Sequence, residues 1–233
     1  IKNLAAIRPA ALRLIDVFKK APFHFDRKTD FIALVPDERY GFINGAIKTS
    51  KGDTVPERMY RDHLERVILP YSEAVGYKHK GEPYMVGALA RMNLAKEKLH
   101  SSTKETLSDA LALFPSTDIF ANGLAQAIEL LHCVDDSMEI LAHETFAPEP
   151  VIEKRYREAT GVGVVEAPRG TLYHKIEVGD DGVVKRGEIV VPTGQNQINI
   201  EEDIHRLVNQ LLSEMPKGKI EYEIEKLIRA YDP

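Results

Sequence analysis

Apolar positions recur at helical spacing near both ends of the chain and fall into short strand-like runs between them. Over residues 1–20, Ile7, Ala11, Leu14, Ile15 and Phe18 share one face of a 3.6-residue repeat, which predicts an amphipathic helix. Residues 31–35 and 40–48 predict strands, closed by the turn Ser50-Lys51-Gly52-Asp53. Residues 56–69 predict a helix, with Pro56 in its first turn and Pro70 beyond its end. The polar, glycine-containing stretch 73–83 is expected to connect an N-terminal portion, 1–72, to the remainder, 84–233. Further helices are expected over 86–99, 103–113 and 119–142.

The pattern then changes period. Val164 and Val165 lie among glycines, so 161–167 predicts a short strand that stops at Pro168, which has no amide proton to give a ladder. Residues 171–178 and 183–191 form the next two strands around the turn Gly179-Asp180-Asp181-Gly182. Pairing Val178 with Val183 places Arg169 opposite Pro192 and Pro168 opposite Thr193, with Leu172 facing Ile189 and diagonal to Val191. Asn199 and Glu202 have the spacing of a capping box ahead of Ile204, Leu207, Val208 and Leu211. Ile220, Ile224, Leu227, Ile228 and Tyr231 define a last helix. The fold class expected is α+β and mainly helical, a helix bundle with small antiparallel β-hairpins.

In this register a guanidinium and a hydroxyl stand beside an apolar wall, which suits a small ligand that is partly anionic and partly apolar. Glu166, inside an apolar strand, is expected to pair with a nearby cation rather than act as an acid. His174 is expected to be packed and hydrogen-bonded behind the loop. Gly161-Val162-Gly163 opens like a dinucleotide fingerprint, but the third glycine is missing and Pro168 forbids the required helix start. His132, Asp136, Glu139 and His143 share one helix face beside Cys133 and could hold a metal; a solvated stripe is the simpler expectation.

The wording of these segments is specific. Residues 161–174, GVGVVEAPRGTLYH, followed by Pro192-Thr193-Gly194-Gln195-Asn196, resemble the active-site region of the large, catalytic (alpha) subunit of nickel-iron hydrogenases, and most closely its cytoplasmic multisubunit branch. Tyr84-Met85-Val86-Gly87-Ala88-Leu89-Ala90-Arg91 resembles an upstream element of that family, and Ala230-Tyr231-Asp232-Pro233 the start of its terminal DPCxxCxxH motif. The resemblance runs from about Tyr71 to the end of the chain. It implies reversible heterolytic cleavage of dihydrogen at a nickel-iron centre carrying cyanide and carbonyl ligands. It implies that Arg169 and Thr193 hydrogen-bond the cyanides, aided by backbone near Pro168 and Pro192, and that Ala167, Pro168, Leu172, Val191 and Pro192 surround the carbonyl. Arg169 is thus the candidate catalytic residue. Taking a proton off an arginine at pH 7 costs roughly 8 kcal/mol, which favours an electrostatic and positioning role over that of a base. The partners implied are an iron-sulfur small subunit and further electron-transfer subunits.

The chain departs from the family at the metals. The family's nickel and iron are held by thiolates from two CxxC pairs, whereas this sequence has one cysteine, Cys133, in neither position. The expectation is therefore a portion of a longer subunit, with no metal ligands of its own, no cofactor bound to it alone and no activity alone. The alternative is a metal-free, hydrogenase-derived subunit similar to the quinone-reductase subunit of respiratory complex I. Retention of Arg169 and Thr193 argues against it.

Composition narrows the rest. A net charge of −5 gives no reason to expect nucleic acid or an anionic membrane as partner. A single cysteine excludes an internal disulfide framework, and the absence of a long apolar run predicts no membrane segment. The expected compartment is cytoplasmic.

Overall fold

A computed structural model of the chain describes residues 1–152 and 156–232. Pro233, the last residue of the terminal motif, lies outside the described residues. The elements in order are α1 (Lys2–Lys19), β1 (Asp30–Val35), β2 (Ala46–Thr49), β3 (Thr54–Val55), β4 (Glu65–Ile68), β5 (Val75–Lys78) and β6 (Tyr84–Met85). Then follow α2 (Ala88–Ala95), α3 (Ser101–Thr106), α4 (Ser108–Leu111), α5 (Ala121–His143), β7 (Ala159–Ala167), β8 (Gly170–Val178), β9 (Val184–Val190), α6 (Pro192–Leu211) and α7 (Lys217–Tyr231). The architecture is mixed α+β with small sheets, ordered β3-β2-β1-β6, β4-β5 and β7-β8-β9 among the described residues.

β1 organises the interior. All six of its residues are buried, because alternate side chains feed two different cores. Phe31, Ala33 and Val35 join the helical core of α1, α2 and α5, while Ile32 and Leu34 join Ile47, Tyr84, Val164, Tyr173 and Val190 between the sheets. β1 pairs antiparallel with β2 and parallel with β6, so the segment that continues into α2 begins inside the sheet.

Four expectations are corrected. The helix expected over 56–69 is a 3-10 turn, Glu57–Asp62, followed by β4, and the polar connection 73–83 contains β5, which pairs with β4 and buries Tyr77. Proline spacing suggested a helix, but ladder pairing between β4 and β5 satisfies the backbone instead. The capping box at Asn199 is not a helix start: α6 begins seven residues earlier in the chain, at Pro192, and Asn199 is buried in its interior. The hairpin register is offset by two residues from the expected one. Tyr173 pairs with Val190 and His174 with Ile189, because an irregularity at Glu177/Val178 adds to a longer turn. An offset of two preserves the faces.

A polar cluster is buried where β1, β5 and the 3-10 turn meet. His79 Nδ1 lies 3.1 Å from Asp30 Oδ2, Ser50 Oγ donates to Asp30 Oδ1 at 2.5 Å, and the ring of His63 rests 4.1 Å from that of His79. His63 Nε2 is buried without a partner among the described residues. Burial, and then the charge of His79, lower the His63 pKa to about 4; Asp53 and Asp30 oppose the shift and Lys80 adds to it. The unfolded chain therefore binds more protons than the folded one between the two pKa values. The His63 contribution is complete above pH 6.5 and is lost as pH falls towards 4, on the order of 2 to 3 kcal/mol. Urea unfolding across this window checks it: His63→Leu should flatten the pH dependence, and an unchanged slope would contradict the assignment.

Candidate active site

The site is built on the turn between β7 and β8, and the residue that holds this turn comes from elsewhere. Glu166, second to last in β7, points inward and is fully enclosed. Its Oε1 accepts from the Leu34 amide at 2.7 Å and from Thr171 Oγ1 at 2.6 Å, and its Oε2 from Arg91 Nη1 at 2.7 Å. The cation expected for Glu166 is thus Arg91, on α2. Burial pushes the Glu166 carboxyl up, and Arg91, Thr171 and the Leu34 amide pull it back.

Arg91 is 2% exposed, and its whole donor fork is used. Nε and Nη2 grip Glu129 of α5 at 2.6 and 2.7 Å, while Nη1 and Nη2 also reach the carbonyls of Ala167 and Pro168 at 3.0 and 3.1 Å. Tyr40 OH caps Glu129 Oε1 at 2.5 Å. Burial works against the guanidinium charge, but Glu129 and Glu166 outweigh it and hold Arg91 protonated. One arginine therefore fixes both carbonyls that precede Arg169.

The segment leading into α2 lies against the same turn at a distance that requires glycine. Gly87 has φ +121° and a Cβ there would stand 3.2 Å from the Arg169 carbonyl. Gly170 has φ +131°, and a Cβ there would stand 2.5 Å from Val86 Cγ2. Gly170→Ala should cost about 2 kcal/mol through the left-handed backbone and the clash together, measurable as a lower urea midpoint at unchanged slope. A midpoint equal to that of the parent chain would contradict the packing.

α6 clamps both segments. Asn196 brackets Val86, accepting from its amide at 2.9 Å and donating to its carbonyl at 3.1 Å. Gln195 donates to the Thr171 carbonyl at 2.6 Å and accepts from Tyr84 OH at 3.1 Å. Pro192 at N1 supplies the helical φ, and Val191 at the N-cap offers no side-chain bond, so the first amides of α6 are left for another acceptor. At the far end, Asp232 has φ 52° and terminates α7 beside the loop: Oδ1 lies 3.3 Å from Arg169 Nη2, and Oδ2 accepts from Gln126 at 2.8 Å. Asn122 ties this end to α2, accepting from the Leu89 amide and donating to the Ala230 carbonyl.

Arg169 is exposed on its loop, its side chain 48% accessible, and Pro168 is exposed beside it. Ala167, Leu172 and Thr193 are half-buried, Pro192 is buried and Val191 is exposed. Thr193 is the second residue of α6 rather than the end of a strand, so Arg169 does not stand opposite Pro192 across a ladder. Continuing the observed register, Leu172 lies in line with Val191 rather than diagonal to it. His174 is half-buried on the same face as Leu172, between Gly163 and Ile189, rather than packed behind the loop.

The helix stripe is corrected. His132 is buried, and its Nδ1 accepts from the His100 amide at 3.1 Å, while Asp136 binds Arg39 and Glu139 binds His100. α5 is covered on that side by the segment before α3, so the stripe is not simply solvated. No individual role was expected for Arg91, Glu129, Gln195, Asn196 or Asp232, although all but Glu129 lie in the motif segments quoted above. The available signals were a charged residue in the apolar run 85–92, which demands a buried partner, and two amide side chains three and four residues after a proline.

A nickel-iron centre of the kind that the resemblance implies would make two demands on this donor set. A guanidinium, a hydroxyl and uncapped helix amides suit small anionic ligands, and Leu172 with Val191 suits an apolar one. The metals themselves need thiolates. Cys133, on α5, is exposed and is not one of the loop residues, and no cluster of three or more ligating side chains exists among the described residues. The residues present fit the outer ligands and not the metals.

Residues 46–233 match the family model described as nickel-dependent hydrogenase. Sulfhydrogenase 1 subunit alpha of Pyrococcus furiosus is 31% identical over 199 residues, covering 84% of this chain and 46% of the relative. NAD-reducing hydrogenase HoxS subunit beta of Cupriavidus necator is 28% identical over 228 residues, covering 84% and 44%. The chain thus spans about half the length of the curated relatives it matches. Among solved structures, an NAD+-reducing NiFe hydrogenase in its H2-reduced state superposes with a TM-score of 0.81 at 23% identity, over 100% of this chain and 57% of that one. The Ni-Fe-Se hydrogenase from Desulfomicrobium baculatum superposes at 0.60 and 18%, over 99% and 55%. At these identities the structural likeness is one of fold.

Proposed function

This chain belongs to the nickel-dependent hydrogenase family, and we propose that it is the portion of a hydrogenase catalytic subunit that holds the outer ligands of the nickel-iron centre. The reaction is the reversible heterolytic cleavage of dihydrogen to protons and electrons, and the metal pair supplies that chemistry. The observation that carries this reading is the convergence of four separated motif segments. Tyr84–Arg91, Glu166–Gly170, Pro192–Asn196 and Tyr231–Asp232 are joined through Arg91, Asn196, Gln195 and the Arg169–Asp232 pair.

In this reading Arg169 and Thr193 donate to the cyanides, and the backbone near Pro168 and Pro192 assists. A charge-assisted bond of this kind is worth about 1.5 to 3 kcal/mol net. Ala167, Pro168, Leu172, Val191 and Pro192 enclose the carbonyl. Arg169 acts by charge and position, and Asp232 orients it without neutralising it, since both groups face solvent. The thiolates come from parts of the subunit outside this sequence, so the chain alone is inactive. Electrons pass to an iron-sulfur small subunit and on to further electron-transfer subunits. The compartment is cytoplasmic. No helix among the described residues is long and apolar enough to cross a membrane.

Nickel and iron analysis of the parent subunit, together with infrared bands for metal-bound cyanide and carbonyl, tests the reading. Stoichiometric metals with both band types are expected. A parent subunit without nickel would overturn it and leave the metal-free alternative.

A further inference from the structure

Behind the Arg169 loop a cavity of about 490 Å³ opens to the surface, walled by Phe42, Leu130, Cys133 and Pro168 and floored by Arg91, Glu129 and Glu166. Most of its wall is apolar. Leu130 is 53% exposed and Cys133 is exposed, although both lie on the same helix as the buried Leu131 and Val134. The floor holds one guanidinium for two carboxyl groups. Arg91 is the only cation there among the described residues, against the carboxylates of Glu129 and Glu166. The contacts of both carboxylates are with donors: Arg91 and Tyr40 for Glu129, and Arg91, Thr171 and the Leu34 amide for Glu166. One guanidinium is thus shared between two carboxyl groups. The Glu166 side chain has no exposed surface, whereas that of Glu129 is 9% exposed at the cavity and has acceptor capacity to spare.

A desolvated, uncompensated carboxylate is costly, and a cation brought to it under an apolar cover relieves that cost. We propose that this cavity seats a segment of the large subunit outside this sequence, which inserts one lysine or arginine side chain towards Glu129 and packs apolar residues on Leu130, Phe42 and Pro168. The proposal rests on the reading of the chain as part of a hydrogenase large subunit, whose curated relatives are about twice as long. It adds a purpose for the cavity. The inserted cation gives the network that fixes the Ala167 and Pro168 carbonyls a second positive group, so the covering segment and the Arg169 loop are set together.

Cys133 is the only cysteine of the chain and forms part of the cavity wall, which makes it a built-in reporter. Alkylation by iodoacetamide, followed on the peptide containing Cys133 by mass spectrometry, compares the 233-residue chain with the parent subunit. Alkylation in the parent subunit should be slower by about tenfold or more, the equivalent of roughly 1.4 kcal/mol of protection. Leu130→Lys, on the exposed rim, should leave the thermal midpoint of the 233-residue chain unchanged and abolish the protection in the parent subunit. Glu129→Gln should weaken the protection, and Glu129→Asp should restore part of it. Equal alkylation rates in the two proteins would overturn the proposal, as would protection that survives both Leu130→Lys and Glu129→Gln. Metal analysis of the same samples separates the two readings. A nickel-loaded subunit with freely reactive Cys133 sinks the docking alone; a nickel-free subunit with protected Cys133 sinks the hydrogenase reading alone.

Discussion

Arg91→Leu is expected to lower the unfolding free energy of this chain by about 4 kcal/mol, read as a reduced urea midpoint. The cost does not come from the loss of an attractive pair as such. Removing the guanidinium strands Glu129 and Glu166 without a cation in the interior and leaves the Ala167 and Pro168 carbonyls without their donors. Burial penalises each of these groups separately. Arg91→Lys should recover only part of the loss, because one ammonium cannot reproduce a fork that serves two carboxylates and two carbonyls. Replacing Arg91, Glu129 and Glu166 together by apolar residues of similar volume should be milder than Arg91→Leu alone, since no charge is then stranded. A loss below about 1 kcal/mol for Arg91→Leu would show that the network is solvated and does not hold the loop.

The second large effect concerns activity rather than stability. In the assembled enzyme, Arg169→Ala should reduce dihydrogen oxidation by a factor of about 10² to 10³, equivalent to about 3 to 4 kcal/mol of lost electrostatic stabilisation. The fold should barely notice. Arg169 is 48% exposed and its pair with Asp232 is a solvated one, worth about 0 to 1 kcal/mol. Arg169→Lys retains the charge and loses the planar fork, so it should fall between the two. The check is a comparison of kcat with the urea midpoint for each variant. Equal percentage losses in both would mean that Arg169 serves the fold and not the reaction.

Much of this was legible in the residues, for identifiable reasons. Long amphipathic repeats specify themselves locally, and α1, α5 and α7 lie close to where their periodicity puts them. A glutamate in an apolar strand must find a cation, and Glu166 finds Arg91. Elements whose state depends on tertiary pairing were not legible. Proline placement around 56–69 fits a helix as well as the observed turn and strand, and only the partner strand β5 decides between them. The start of α6 was obscured because Val191 and Pro192 continue an apolar run, so the helix was expected to begin at Asn199 instead of in the first residues of the PTGQN turn. The register error has a local cause, an irregularity at Glu177/Val178 that no residue there announces. Its effect is confined to which groups stand opposite one another. By continuation of the register Leu172 and Val191 still share a face, whereas Thr193 moves from a strand end to the first turn of a helix.

The central claim is that the loop 167–169 and the first turn of α6 hold the outer ligands of the metal centre. Infrared spectroscopy of the parent subunit, wild type against Arg169→Lys, tests it most directly. The account predicts that the cyanide bands shift in the variant while nickel and iron content stay the same, because a changed donor alters the ligand it binds. Cyanide bands at identical positions in the two proteins, with metals fully loaded in both, would contradict it.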